Sequence, residues 1–353
     1  MHDTGPEQET RHVRLIVSGL GNIGRRFAAI LSQKAADLQT RYGIAFSVVG
    51  AADSRGAAID PAGLDLAALV RLKEGGHSAA DYAGRGRPGM TPLAMVREVE
   101  QADVLCEATP VNLQNGEPGL SCMRAAMNRG LHVVTDNKGP LVLAYPELTA
   151  LARKQGVQFL FCGTVAGGLP AINLGRRDMA GATIQRLEAL PNLTTSFILE
   201  QMAKGQTYTQ ALAAAQAQGC AEADPSLDVE GWDAANKLVI LANSVLGIPA
   251  TLDDVRVEGI TGVTPDDLRR AQEAGQTIKL VAAAVRQAGG GYELRVAPTP
   301  LPLTHPLARL SGQQMGVVYH TDIYGTISAA ILEEEPVPSA AAMLRDLLSI
   351  YAG

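Results

Sequence analysis

Ten residues, Val17-Ser18-Gly19-Leu20-Gly21-Asn22-Ile23-Gly24-Arg25-Arg26, follow the apolar run Val13 to Val17 and lead into a segment of helical apolar periodicity. This G-x-G-x-x-G constrains the fold more than any other feature, because it demands a strand, a tight turn and a helix N-terminus in succession. Each glycine has its own reason. Gly19 permits the turn, Gly21 lets the backbone approach a pyrophosphate, and Gly24 lets helix and strand pack closely. Asn22 and Ile23 complete the loop, whose N–H groups and helix dipole favour an anion. The alternative is a glycine-rich turn without a ligand, and the flanking strand and helix argue against it.

At 353 residues the chain is long enough for two domains with sizeable cores. A net charge of -6 with no basic run argues against nucleic acid, whose phosphates require clustered Lys and Arg. The first eleven residues are polar and charged, unlike a secretory signal, and no stretch approaches the roughly 18 to 20 apolar residues that span a bilayer. These features predict a cytoplasmic protein with no membrane partner. Cys106, Cys122, Cys162 and Cys220 form no C-x-x-C pair and the six histidines are scattered, so no disulfide framework or metal site is expected.

Strands and helices alternate through the first half. The pattern predicts a strand over Val13–Ser18, a helix from Asn22 to about Gln39, and a second strand over Ala45–Ala52 that ends at Asp53. An acidic residue there is where a dinucleotide fold holds the adenosine ribose hydroxyls, although the spacing from Gly24 is long and a solvated loop aspartate is the alternative. Ser54 and Arg55 follow, and Lys73 lies on a helix expected over Leu64–Glu74, so Arg55 and Lys73 could clamp a 2′-phosphate. Asp53 favours NAD and the two cations favour NADP; the choice stays open. A third strand, Asp103–Glu107, runs into Ala108-Thr109-Pro110, a helix follows over Gly119–Asn128, and Leu131–Thr135 reads as a buried parallel strand ending at Asp136-Asn137-Lys138. Ligands of open α/β sheets lie at the carboxyl ends of strands, which places Thr109, Pro110 and Lys138 beside the cofactor. Taken alone, Lys138 is equally an ordinary lysine in a turn.

Three segments carry a resemblance: Val133-Val134-Thr135-Asp136-Asn137-Lys138-Gly139-Pro140-Leu141, Thr164-Val165-Ala166-Gly167-Gly168-Leu169-Pro170, and the long run from Ala221 to Leu238 with Asp228-Val229-Glu230-Gly231-Trp232-Asp233 at its centre. Together they resemble the homoserine dehydrogenase family, from about Arg14 to His305-Pro306-Leu307-Ala308. The resemblance implies an α/β protein. A Rossmann-type dinucleotide-binding domain over residues 12–145 is followed by an α+β catalytic and dimerisation domain with a mixed sheet over 146–332, and a C-terminal helix over 339–353 returns to the first. It implies NAD or NADP as cofactor, a homodimer, an amino-acid semialdehyde and its alcohol as substrates, and no regulatory extension at the C-terminus.

Residue by residue, Lys138 and Lys237 match the family's two active-site lysines, Asp233 the aspartate one helical turn before the second, and Glu222 the carboxylate that holds the substrate amine. Asn192, Thr194 and Asp228 fall at its substrate-binding positions. Spacing agrees for one pair: Asp233 and Lys237 are i,i+4 on a helix starting near Gly231, where a plain surface ion pair would be worth a few tenths of a kcal/mol. When hydride leaves the substrate carbon the hydroxyl must lose a proton, and in reverse the alkoxide must be stabilised and protonated. A lysine can do either, and the sequence leaves open which lysine carries the proton.

Three departures from the family pattern stand out. Its G-I-x-N-G-T-x-N-Y-I-L run is Ala189-Leu190-Pro191-Asn192-Leu193-Thr194-Thr195-Ser196-Phe197-Ile198-Leu199 here, so Leu193, Ser196 and Phe197 predict a reshaped pocket. A glutamate of its monovalent-cation site is Cys162, a poor ligand for a hard cation. Its late glycine-rich turn is Glu333-Glu334-Glu335, which would repel a pyrophosphate if it lay in the same place and otherwise forms an exposed loop. Two alternatives follow: a paralogous dehydrogenase of another small hydroxy or amino acid, and a non-enzymatic cofactor-binding protein.

Overall fold

The computed structural model describes residues 10–333 and 335–352. They divide into two compact units, one within Met1–Thr164 and Pro336–Gly353 and the other Val165–Glu335.

The first unit is built on a seven-stranded sheet of order β4-β3-β2-β1-β5-β6-β7. Its strands are β1 (Arg11–Ser18), β2 (Ile44–Ala52), β3 (Gly56–Ile59), β4 (Gly86–Pro88), β5 (Val104–Glu107), β6 (His132–Thr135) and β7 (Phe159–Leu160). The pairs β2–β1, β1–β5, β5–β6 and β6–β7 are parallel. Covered on both faces, the inner strands are near-continuous apolar runs, and all of β5 is buried. The antiparallel extension β3–β4 falls on short segments bounded by Gly and Pro, where the sequence pattern predicts no strand.

Helix α1 (Asn22–Tyr42) leaves the glycine loop and buries Phe27, Leu31 and Leu38 on the sheet. It ends where Gly43 takes the left-handed conformation at φ 65°. Helices α2 (Leu66–Glu74), α3 (Pro92–Glu98), α4 (Gly119–Asn128) and α5 (Lys138–Gln155) follow. The final helix, Val337–Tyr351, places Ala340, Met343 and Leu347 in the same core as Phe27 and Val17.

The second unit holds a six-stranded sheet of order β13-β12-β8-β10-β11-β9. These are β8 (Ile184–Leu190), β9 (Val255–Val257), β10 (Gln276–Arg286), β11 (Tyr292–Pro302), β12 (Gln314–Thr321) and β13 (Thr326–Leu332). All neighbours are antiparallel except β11–β9, so the sheet is mixed, as the resemblance implied. Leu190, Val281, Leu301, Leu307 and Val318 form a buried cluster in this unit. Among the described residues no helix is long and apolar enough to cross a membrane.

Candidate active site and cofactor loop

The glycine loop is shaped by backbone crowding. A Cβ on Gly19, at φ 95°, would stand 2.4 Å from the Ala108 carbonyl oxygen, and one on Gly24 would stand 1.8 Å from that of Gly19. No side chain fits at either position. A Cβ on Gly21 would meet nothing within 4 Å, so the space there is open to a ligand. Helix α1 has no side-chain cap and no acidic residue in its first turn, and the Asn22 side chain accepts from Arg26 at 2.7 Å. An uncapped helix start beside an open glycine fits a pyrophosphate.

Asp53 closes β2, as expected, but its carboxylate is already satisfied within the chain. Lys73 Nζ lies 2.5 Å from Oδ2, the Ala79 N–H donates to Oδ2 at 2.8 Å, and the Ser78 hydroxyl and Arg55 N–H donate to Oδ1 at 2.8 and 2.9 Å. Burial works against the charge, yet these donors outweigh it and hold the carboxyl down to about 2. Lys73 is thus bound to Asp53, and the Arg55 guanidinium donates to the Gly76 carbonyl at 2.8 Å, while Ser54 and Arg55 stay exposed.

Lys138 is the first residue of α5. Asn137 caps that helix by accepting the Gly139 N–H at 3.0 Å, and Thr109, two residues past the end of β5, is buried while Pro110 is exposed. Beneath them lies Glu107, fully buried, which the sequence pattern marks only as a strand end. The signal was present: a glutamate directly after Val104-Leu105-Cys106 in a buried parallel strand needs hydrogen-bond partners.

In the second unit, four of the expected residues form one network. Lys237 Nζ donates to Asp233 Oδ2 at 2.7 Å and to the Pro191 carbonyl at 2.5 Å. The Asn192 amide donates to Asp233 Oδ2 at 2.8 Å and to Asp228 Oδ1 at 2.6 Å, and its own Oδ1 caps the helix Leu193–Ala203 through the Thr195 N–H. The Asp233 and Lys237 side chains are only 8% and 16% exposed, so this is no ordinary surface pair. Sequence spacing found the pair but missed Asn192 as the bridge and Pro191 as an acceptor, since both arrive from a distant strand end. Thr194 donates to the Cys220 carbonyl at 2.7 Å and so ties down the segment that carries Glu222. Glu222 is exposed, and no contact joins its carboxylate to the network.

The departures resolve individually. Ser196 bonds back to the Asn192 carbonyl at 3.0 Å, and both Ser196 and Phe197 are buried. The Cys162 thiol accepts from Arg345 at 3.2 Å and its N–H donates to Asp346 at 2.8 Å. Glu333 is buried and accepts the Gly168 N–H at 3.2 Å, and Glu335 is exposed, so these residues do not form one uniformly exposed loop; Glu334 lies outside the described residues.

Two of the scattered histidines meet. His305 and His320 place Nε2 3.3 and 3.1 Å from Glu188 Oε2, and Arg186 lies 2.6 Å from Oε1. Burial opposes the charge on Glu188, but Arg186 and the imidazoles outweigh it and lower its pKa. The three residues lie within metal-ligand reach of one another. His305 Nδ1, however, accepts the Leu307 N–H at 3.2 Å, so its Nε2 presents a proton to Glu188 rather than a lone pair. The cluster reads as an Arg186–Glu188 ion pair hydrogen-bonded to two imidazoles.

A Rossmann-type unit with a glycine phosphate loop, together with a mixed-sheet unit carrying a buried lysine–aspartate pair, defines the class of two-domain dinucleotide-binding proteins. Residues 19–162 match the model of the homoserine dehydrogenase NAD binding domain, and residues 170–348 match that of homoserine dehydrogenase. Over 338 residues the chain is 39% identical to a homoserine dehydrogenase of Methanocaldococcus jannaschii, covering 96% of this chain and 98% of that one. It is 36% identical to an NAD(+)-dependent homoserine dehydrogenase of Pseudomonas canavaninivorans, covering 96% of each. Solved structures agree: a homoserine dehydrogenase from Thiobacillus denitrificans superposes with a TM-score of 0.84 at 31% identity, over 98% of this chain and 74% of that one. A hyperthermophilic archaeal homoserine dehydrogenase mutant in complex with NADPH superposes at 0.83 with 27% identity, over 96% and 97%. The chain belongs to the homoserine dehydrogenase family.

Proposed function

We propose that this protein is an NAD(P)-dependent oxidoreductase that interconverts L-homoserine and L-aspartate 4-semialdehyde. The observation that carries the reading is the largely buried Lys237–Asp233–Asn192–Asp228 network, which fixes the Lys237 amino group against two acceptors and leaves its third tetrahedral direction for a substrate. When bound, the nicotinamide accepts a hydride from the alcohol carbon or returns it to the aldehyde. Gly19, Gly21, Asn22, Ile23 and Gly24 would hold the pyrophosphate at the start of α1, and Ser54 and Arg55 would lie on the adenosine ribose side. Thr109, Pro110 and Lys138 line the nicotinamide end.

Lys138 and Lys237 share two tasks in the reaction: one, as the neutral amine, takes the hydroxyl proton during oxidation, and the other, as the ammonium, neutralises the charge that develops on the oxygen. Asp233 keeps Lys237 oriented. Asn192, Thr194 and Asp228 shape the substrate side, and Glu222 meets the substrate ammonium. Localisation in the cytoplasm and assembly as a homodimer complete the proposal. The exposed Ile323, Tyr324 and Leu332, on and near edge strand β13, support the dimer. Light scattering gives its mass directly, and a monomer at micromolar concentration rejects it.

The activity is tested by following reduced-nicotinamide formation with homoserine and with 4-hydroxybutyrate. Wild-type protein should turn over homoserine. Glu222→Gln should raise KM for homoserine by about tenfold to a hundredfold, the equivalent of a charge-assisted hydrogen bond of about 1.5 to 3 kcal/mol, while barely changing that for the des-amino compound. No turnover of homoserine rejects the substrate, and equal losses for both compounds reject the amine-binding role.

A further inference from the structure

Glu107 is the C-terminal residue of β5, wholly buried, and its hydrogen-bond partners are all neutral. Two hydrogen-bond relays converge on it. In one, Asn137 Nδ2 donates to Thr109 Oγ1 at 3.3 Å, and that hydroxyl donates to Glu107 Oε1 through a short contact. In the other, the Asn137 N–H donates to Thr135 Oγ1 at 3.0 Å, and that hydroxyl donates to Oε2 at 2.9 Å. The Thr109 N–H adds a further bond to Oε1 at 2.8 Å. A threonine hydroxyl has one proton; each of these two accepts from Asn137 through a lone pair and directs its proton at Glu107. Both carboxyl oxygens therefore act as acceptors, and both relays begin at the residue that caps α5 one position before Lys138.

Neighbouring backbone leaves room for this arrangement. A Cβ on Gly119 would lie 2.8 Å from Asn137 Nδ2 and 3.1 Å from Glu107 Oε1. Burial pushes the Glu107 carboxyl above the ordinary range, and the hydroxyl and amide donors oppose that shift.

We propose that Glu107 is a positioning residue for the reaction: as the common end of two relays from Asn137, it fixes the first turn of α5 and with it the Lys138 side chain. The proposal rests on the reading that Lys138 acts on the substrate. Glutamine is nearly isosteric with glutamate but offers an acceptor on only one side, so its NH2 must face a hydroxyl proton and one relay must reverse.

The test is a cycle of Glu107→Gln, Lys138→Ala and the double variant, read as kcat, KM for the cofactor and melting temperature. Glu107→Gln should lower kcat about tenfold with cofactor KM within about twofold. In the Lys138→Ala background the same change should alter kcat less than about twofold, because the group it positions is gone. Equal losses in both backgrounds would show a purely structural carboxyl and overturn the proposal, as would wild-type kcat in Glu107→Gln. Wild-type kcat in Lys138→Ala is a separate result that removes the reading beneath it and the proposal together. If Glu107→Gln does not fold, Thr135→Val breaks the second relay alone, and the same coupling to Lys138→Ala is required.

Discussion

The glycine loop of the first unit and the lysine network of the second reach a fixed geometry by opposite means. The loop is defined by what is missing. Side chains at Gly19 and Gly24 would overlap backbone, and the open space at Gly21 is reserved by leaving out a Cβ. The network is defined by what is filled: Asn192 donates to two carboxylates, Asp233 accepts from both Asn192 and Lys237, and Lys237 also donates to the Pro191 carbonyl. A site made of backbone tolerates no added atom at its crowded points, whereas a site made of side chains loses function in steps as its donors are removed.

The largest expected effect falls on the network. Lys237→Ala should lower kcat by roughly two to four decades, the scale of lost general acid–base or oxyanion assistance, with cofactor affinity little changed. Lys138→Ala should do the same. If both lysines can be replaced together without loss of turnover, neither acts in the reaction. On the loop, Gly21→Val should weaken dinucleotide binding about a hundredfold in a fluorescence titration while melting temperature holds, because its Cβ stands in open space. Gly24→Val should instead fail to fold, with its Cβ set against the Gly19 carbonyl. Unchanged cofactor affinity in Gly21→Val would make the loop structural only.

Between those extremes lies Asn192→Ala. It removes the bridge between Asp228 and Asp233 but leaves the Lys237–Asp233 pair, so kcat should fall about tenfold, less than for loss of the lysine itself. A loss as large as that of Lys237→Ala would mean the network acts as one indivisible unit.

The same contrast explains how much of the molecule is legible in its sequence. A backbone-made loop imprints itself locally, because the three glycines, the strand before them and the helix after them are contiguous; the inferred boundaries of β1, β2, α4 and β6 fall within two residues of those observed. The Asp233–Lys237 pair was legible for a related reason, since helical spacing is itself a local rule. Asn192 as a bridge and Glu107 as a relay end were not legible. Their partners lie 36 and 41 residues away for Asn192 and 28 for Glu107 through Thr135, and no periodicity encodes such meetings. The histidines show the same limit: His305 and His320 are far from Glu188 in sequence yet share one of its oxygens. The β3–β4 extension was missed because its two short segments are separated by an intervening helix and carry Gly and Pro, which read as turns.

Asp53 gives the smallest expected effect and tests where the two modes meet, since a side chain here anchors a loop beside the backbone-made site. Its folded pKa of about 2 lies below that of an unfolded aspartate, so its contribution is present above about pH 4 and is lost as pH falls through about 2. Replacing it by Asn should remove on the order of 2 kcal/mol at pH 7, a fall of a few degrees in melting temperature, and the gap to wild type should close towards pH 2. Because both carboxylate oxygens are bonded to Lys73, Ser78, Ala79 and Arg55, the variant should alter KM for NAD and NADP by the same small factor. A selective rise in KM for NAD at unchanged melting temperature would show instead that Asp53 turns from these donors to the ribose hydroxyls, and its role would then be recognition of the cofactor rather than anchoring of the loop.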